Sequence, residues 1–364
     1  MVVSSLVRRG MEIAKERAGS PEVPSIEIRG WQAGLFFCTV AAFIFAVVSV
    51  EYTYGLVVTT LAAVEDSNPD IYVRIDGNQD GNKASDPTAP ADPELLVVEA
   101  KPITSKLRTT IRHLRARGGF WSRFRGFAIF LVYTQAQGLL STMMPVSIYN
   151  FVGQFLVRLV VGTLLANLQL AWVHIVISEP SPKRFYRRIP GYKSWVKIAP
   201  VFVFEQAIVA GAFILPFLVA TRFGLVDLMY ETPETDGLSF ANFSRLAGAF
   251  TVPSLCSFLA SIPARAIFIR VAASMLPEED EAIVPFDRSF GGKVVPAILG
   301  GSGKLSISDA WKTFDCSARA RYFKAVGKAF ALEVAIVVFF SLAIVGQIYV
   351  GKFGYSTEPS TDIA

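Results

Sequence analysis

The sequence predicts an all-α integral membrane protein: six transmembrane helices forming three pseudo-repeated helical hairpins, with amphipathic surface helices in the basic-side loops. Three observations lead there. Several uninterrupted apolar runs reach or exceed the ~20 residues a helix needs to cross about 30 Å of hydrocarbon. None alternates with the two-residue period of a barrel strand, and only helices and closed barrels satisfy their backbone in lipid. Charged residues make up 18% of the 364 positions, with a mean hydropathy of +0.45, whereas a soluble chain carries about 25% charge.

The predicted spans are 31–63, 127–144, 148–178, 199–221, 246–275 and 326–350. They divide the chain into an N-terminal segment (1–30), a first hairpin (31–144) with a long polar insertion (64–126), and a second hairpin (148–221). A third hairpin (246–350) with a loop at 276–325 and a tail (351–364) complete it. The odd spans, at roughly 30 residues or about 45 Å, exceed the core thickness and must tilt, bend or run on past it. Residues 3–17 form a weak amphipathic helix in this reading, and the run from Trp31 is too long for a signal sequence.

Six crossings put both termini on one side. Basic residues crowd the other, in loops 64–126, 179–198 and 276–325; from Lys101 to Ser178 there is no acidic residue. The positive-inside rule places these loops in the cytosol or matrix. Within them, SKLRTTIRHLRAR (105–117) sets Leu107, Ile111 and Leu114 on one face and Arg108, Arg112 and Arg115 on another, the pattern of a surface-lying basic helix. Arg123, Arg125, Arg187 and Arg188 extend the patch, interleaved with Trp121, Phe124 and Tyr186. Anionic headgroups are its expected partner; nucleic acid is not, because in a membrane chain a +5 net charge speaks to lipid and orientation. The insertion 64–126 is the place for a protein partner. SISDAW (306–311) carries a capping box, Ser306 with Asp309, and IYVRI (71–75) with LLVVEA (95–100) reads as a hairpin.

FVFEQAIV (202–209) matches FALEVAIV (330–337), and LLANL (164–168) matches FLASI (258–262), in the order three tandem hairpins require. Helix–loop–helix units with basic-side amphipathic helices resemble the mitochondrial carrier family, whose odd helices end in P-x-[DE]-x-x-[KR]. The nearest copy is IPARAIFIRV: Pro263, Arg265 in the acidic place, Phe268 in the basic one, then Arg270. The equivalents are QLAWVH (169–174) and SVEYTY (49–54), and GGFWSRFRGF (118–127) is similar to the stretch that opens the even helices. The resemblance implies a gate of convergent odd helices in which Glu51 faces His174, Ala171 faces Phe268 and Arg265 faces Tyr54. It also suggests a mitochondrial membrane, with the endoplasmic reticulum as alternative. WVHIVISEPSPKRFYRRIPG (172–191) and LPEEDEAIVPFDRSFGG (276–292) also resemble uncharacterised fungal multi-pass proteins, some labelled "ubiquitin carrier protein". No cysteine here has a conjugating-enzyme-like setting.

Charges inside spans are costly and mark polar contacts or a substrate path: Glu205, Glu333 and Arg265 at similar depth, and Arg158 deeper, beside Gln135, Gln137 and Gln154. A static cluster gluing helices is the simpler account. DGNQDGN (76–82) lacks the twelfth-position glutamate of a calcium loop, GGSGKLS (300–306) lacks the first P-loop glycine, and the two histidines have no metal-ligand companions. No cofactor is expected, and no nucleophile or acid–base set converges. The sequence therefore points to a non-enzymatic, carrier-like scaffold or membrane organiser. The alternative is a transporter of a small anionic solute.

Overall fold

Every regular element among the described residues of the computed structural model is helical; those residues are 30–66, 102–146, 150–225, 240–295 and 300–353. The expected helix at 3–17, the hairpin 71–75/95–100 and the 76–82 turn lie outside them. Helix α1 (Gly30–Val50) continues through a π-helical stretch, Glu51–Val58, into α2 (Thr59–Val64). There follow α3 (Leu107–Gly118), α4 (Phe127–Thr142), α5 (Phe151–Leu164) and α6 (Ala166–Ile177). Helices α7 (Tyr192–Arg222), α8 (Phe240–Ser274), α9 (Ile307–Lys312) and α10 (Cys316–Phe353) complete the chain.

Among the described residues, four helices are long and apolar enough to cross a membrane: Trp31–Val64, Tyr192–Arg222, Ala247–Ser274 and Cys316–Tyr349. The pair α5–α6, bent by 59°, makes a fifth if it counts as one span. Two of the six expected spans, 127–144 and 148–178, are not among these four. Helix α4 has 16 residues, about 24 Å, because the apolar run continues past the point where the helix stops. The run 148–178 breaks at Leu165 (φ −90°, ψ 2°). At that break the Trp195 indole donates to the Thr163 carbonyl at 2.8 Å, giving a disrupted helix end the partner it needs. The two copies LLANL and FLASI thus differ locally: the first straddles the break, the second lies within unbroken α8.

The chain divides into two compact units, residues 1–48 with 333–364, and residues 49–332. In the first, Phe43 packs on Phe340 (5.3 Å) and the Gln347 amide donates to the Thr39 hydroxyl at 2.6 Å, a polar tie between apolar helices. In the second, α7 and α8 form the most extensive pair, and α2, α6 and α8 all pack on one another. Helix α6 is buried without interruption from Leu170 to Ile177, as an all-round apolar sequence requires. The excess length of the odd spans is therefore absorbed in protein: their last turns enter a shared core with Val57, Leu61, Ala171, Val173, Phe268 and Ile269.

The segment after α8 closes that core. Ser178 bridges Ala282 antiparallel, Glu179 N–H donates to Glu281 O (2.7 Å), Ile283 N–H to Ile177 O (2.8 Å) and Asp66 N–H to Pro285 O (3.1 Å). The basic helix forms where expected, burying Thr110 and Leu114 and exposing Arg108, Arg112 and Arg115. The capping box is present too, Ser306 accepting from the Asp309 N–H.

Candidate functional site

The ends of α2 and α9 leave helix-terminal carbonyls that need donors. Arg270, 3% exposed, supplies them. It donates to Ala63 O (3.2 Å), Ala310 O (3.0 Å), Thr313 O and the Thr313 hydroxyl (both 3.1 Å). Its guanidinium lies 4.8 Å from the ring centres of Phe290 and Phe314. Phe290 adopts φ 49°, a conformation that costs a bulky residue energy; the ring so placed covers Arg270. Beside this hub, Glu65 (1% exposed) accepts from Ile103 N–H (2.6 Å), Thr104 N–H (2.9 Å) and the Thr104 hydroxyl, with Arg321 Nε at 3.8 Å. Burial raises the Asp66 carboxyl against the lowering pull of the Asp287 N–H at 2.8 Å. The Asp287 carboxyl, which burial would raise, is held low by N–H and hydroxyl donors from Gly291 and Ser289. Together these groups form a polar plug where α2, α8 and α9 end. Sequence reasoning singled out Arg270 only through the resemblance and missed Glu65. An acid directly ending an apolar run, followed by a distant Thr-rich segment, was the available signal.

Deeper in the bundle, Arg265 Nη1 donates to Gln169 Oε1 (2.8 Å) and Glu205 Oε1 (3.3 Å) and faces Phe268 and Trp172 at 5.0 and 5.7 Å. Glu205 is 5% exposed and its Oε2 finds no hydrogen-bond partner among the described residues. A cavity of about 40 Å³ lies beside Arg265, Gln169 and Tyr133, room for a water molecule. Of the expected intramembrane charges, then, Glu205 and Arg265 meet. Glu333 is half-buried and belongs to the other unit. Arg158 is exposed on α5, while the Gln154 amide expected beside it donates to Val146 O at 3.1 Å.

The gate pairs need correction. Glu51 is exposed, whereas His174 is 3% exposed with Nε2 2.9 Å from Ala272 O. The first odd helix runs on to Val64, and its level with Arg270 is set by Ala63. Glu51 therefore sits 63 − 51 = 12 residues short, about 18 Å along a helix. Arg265 turns to Glu205 and Gln169, and Tyr54 is half-buried elsewhere on the π-helix. Ala171 and Phe268 do share the buried core.

The surface patch also sorts into two sets. Arg108, Arg112, Arg115 and Arg187 are exposed; Arg123 lies 4.8 and 4.9 Å over Phe120 and Phe124. Phe120 and Trp121 stay open beside them. Arg125 and Arg188 instead turn inward, both donating to Ser178, the first to its carbonyl and the second to its hydroxyl. Burial, reinforced by the field of Arg188, pulls the Arg125 guanidinium down to about 10, against an upward pull from Glu179. No protein-family model matches the chain, and no curated protein does.

Proposed function

We propose that the chain is a non-enzymatic multi-pass membrane protein, a carrier-like scaffold or membrane organiser, that holds its basic face against anionic lipid. The observation that carries this reading is the exposed side of α3, where Arg108, Arg112 and Arg115 stand clear of the core beside exposed Phe120 and Trp121. A basic side chain near an anionic surface contributes about 1 kcal/mol, and aromatic rings settle at headgroup depth. The plug supports a scaffold over a transporter. A carrier of a small anion would have to open it and strip Arg270 of four bonds; anion flux in proteoliposomes would favour that alternative. The reading includes six crossings in three hairpins, both termini on one side, a mitochondrial or endoplasmic reticulum membrane, and a protein partner for the 64–126 insertion.

The test compares the full chain in nanodiscs of zwitterionic lipid and of lipid containing phosphatidylserine, by amide exchange. The amides of α3 are expected to gain protection in the anionic discs, to lose it at high salt as screening predicts, and to lose it in an R108Q/R112Q/R115Q variant. Equal protection in both lipids would remove the lipid role.

A further inference from the structure

A cleft of about 400 Å³ opens between Gly118–Ile129 and Ile175–Arg188, lined by Trp121, Arg125, Phe127, Ile175, Lys183 and Arg188 among others. Its floor is unusual for a protein interior, because it holds two guanidiniums that share one residue. Arg125 donates to the Ser178 carbonyl; Arg188 donates to the Ser178 hydroxyl at 2.5 Å and to Asp280 Oδ2 at 3.5 Å. The Arg188 side chain is 8% exposed, yet among the described residues its Nε and Nη1 of Arg125, both shielded from solvent, find no hydrogen-bond partner.

Buried N–H groups on charged side chains are costly to leave unpaired, and two like charges in one place add to the cost. The neighbouring acids are largely engaged: Glu179 with Arg117 and Glu279 with Lys183, each at 3.0 Å. Asp280 reaches Arg188 at 3.5 Å, and Glu179 acts on Arg125 while paired with Arg117. An anion in the cleft would lie against both guanidiniums and relieve their repulsion. Guanidinium forks match phosphate oxygens in spacing and charge. The apolar walls, Trp121, Phe127 and Ile175, suit a ligand that carries hydrocarbon as well as charge.

We propose that this cleft binds a phosphate group against the guanidiniums of Arg125 and Arg188, as a single stoichiometric site. The phosphate can belong to a membrane phospholipid or to a soluble phosphate, and the walls favour the lipid. The site is separate from the exposed face of α3, so either reading can fail without the other.

The full chain, purified in neutral detergent, is titrated with phosphatidylglycerol and, separately, with inorganic phosphate. Native mass spectrometry reads stoichiometry and thermal unfolding reads stabilisation. One phosphatidylglycerol is expected to bind per chain, with affinity at least tenfold weaker in Arg188→Gln and unchanged in R108Q/R112Q/R115Q. Stabilisation by inorganic phosphate alone, lost in Arg188→Gln, would assign the same site to a soluble ligand. Since removing Arg188 could unfold the loop, Ala128→Trp serves as a second variant. It fills the cleft from its exposed side while keeping both arginines, and it is expected to abolish binding at an unchanged ligand-free unfolding temperature. Failure of both probes on the unmodified chain, or binding undiminished in Ala128→Trp, would overturn the proposal.

Discussion

Glu205 and Arg265 are the residues on which the interior of α7 and α8 depends. The carboxylate is buried, holds one bond to Arg265 at 3.3 Å and leaves its other oxygen unpartnered among the described residues. Removing Arg265 strands an acid in an apolar bundle, a change that costs about 3–5 kcal/mol in comparable buried pairs. Removing both partners leaves no orphan. The stability losses in Arg265→Gln and Glu205→Gln should therefore sum to more than the loss in the double replacement, with a coupling of about 0.5–3 kcal/mol. Strictly additive losses in thermal unfolding would mean that the two side chains do not sense each other.

Between elements, packing turns on two glycines. A Cβ at Gly162 of α5 would come within 2.6 Å of the Phe202 ring on α7, and Phe202 is among the largest fully buried side chains. Gly162→Ala should push α5 off α7 and cost about 1–3 kcal/mol, the usual penalty of overpacking; an unchanged unfolding midpoint would show that the contact yields freely. Gly126, at φ 72°, opens α4 with its Cα close to the Trp172 indole, and there both backbone and space call for glycine. At this scale the sequence was partly readable. The amphipathic period of 105–117, the Ser306–Asp309 cap and the Glu205/Arg265 depth match are local patterns and survived. The π-helix, the break at Leu165 and the register of Glu51 were not readable. A uniform apolar run does not record where a helix leaves lipid and enters protein, and hydropathy is the same on both sides of that line. For the same reason Arg125 and Arg188 read as surface charges: nothing local distinguishes an arginine facing lipid from one bound beneath Ser178.

For the whole molecule, parity decides the topology. Four or six crossings place the termini together; five separate them. Helix α4 is short and α5–α6 is bent, so the count rests on how these two meet the bilayer. Tags ahead of residue 30 and after residue 353, digested in sealed vesicles, should be cut together from one side. Exposed Cys316 should react with an impermeant maleimide only from the other. Tags cleaved from opposite faces would establish five crossings and end the three-hairpin arrangement.

Arg270 also fixes an order in time. Its acceptors are Ala63, Ala310 and Thr313, and the first and last are 313 − 63 = 250 residues apart. At a synthesis rate of 5–20 residues per second, Ala63 leaves the ribosome roughly 12–50 s before Thr313 does. For 270 − 63 = 207 of those residues the end of α2 waits for Arg270, and for 313 − 270 = 43 more Arg270 waits for the last of its acceptors. The early helices thus enter the membrane unlocked and become a single structure only as the last third of the chain arrives, which makes the segment around Ala310 and Thr313 the closing step of the protein's biogenesis.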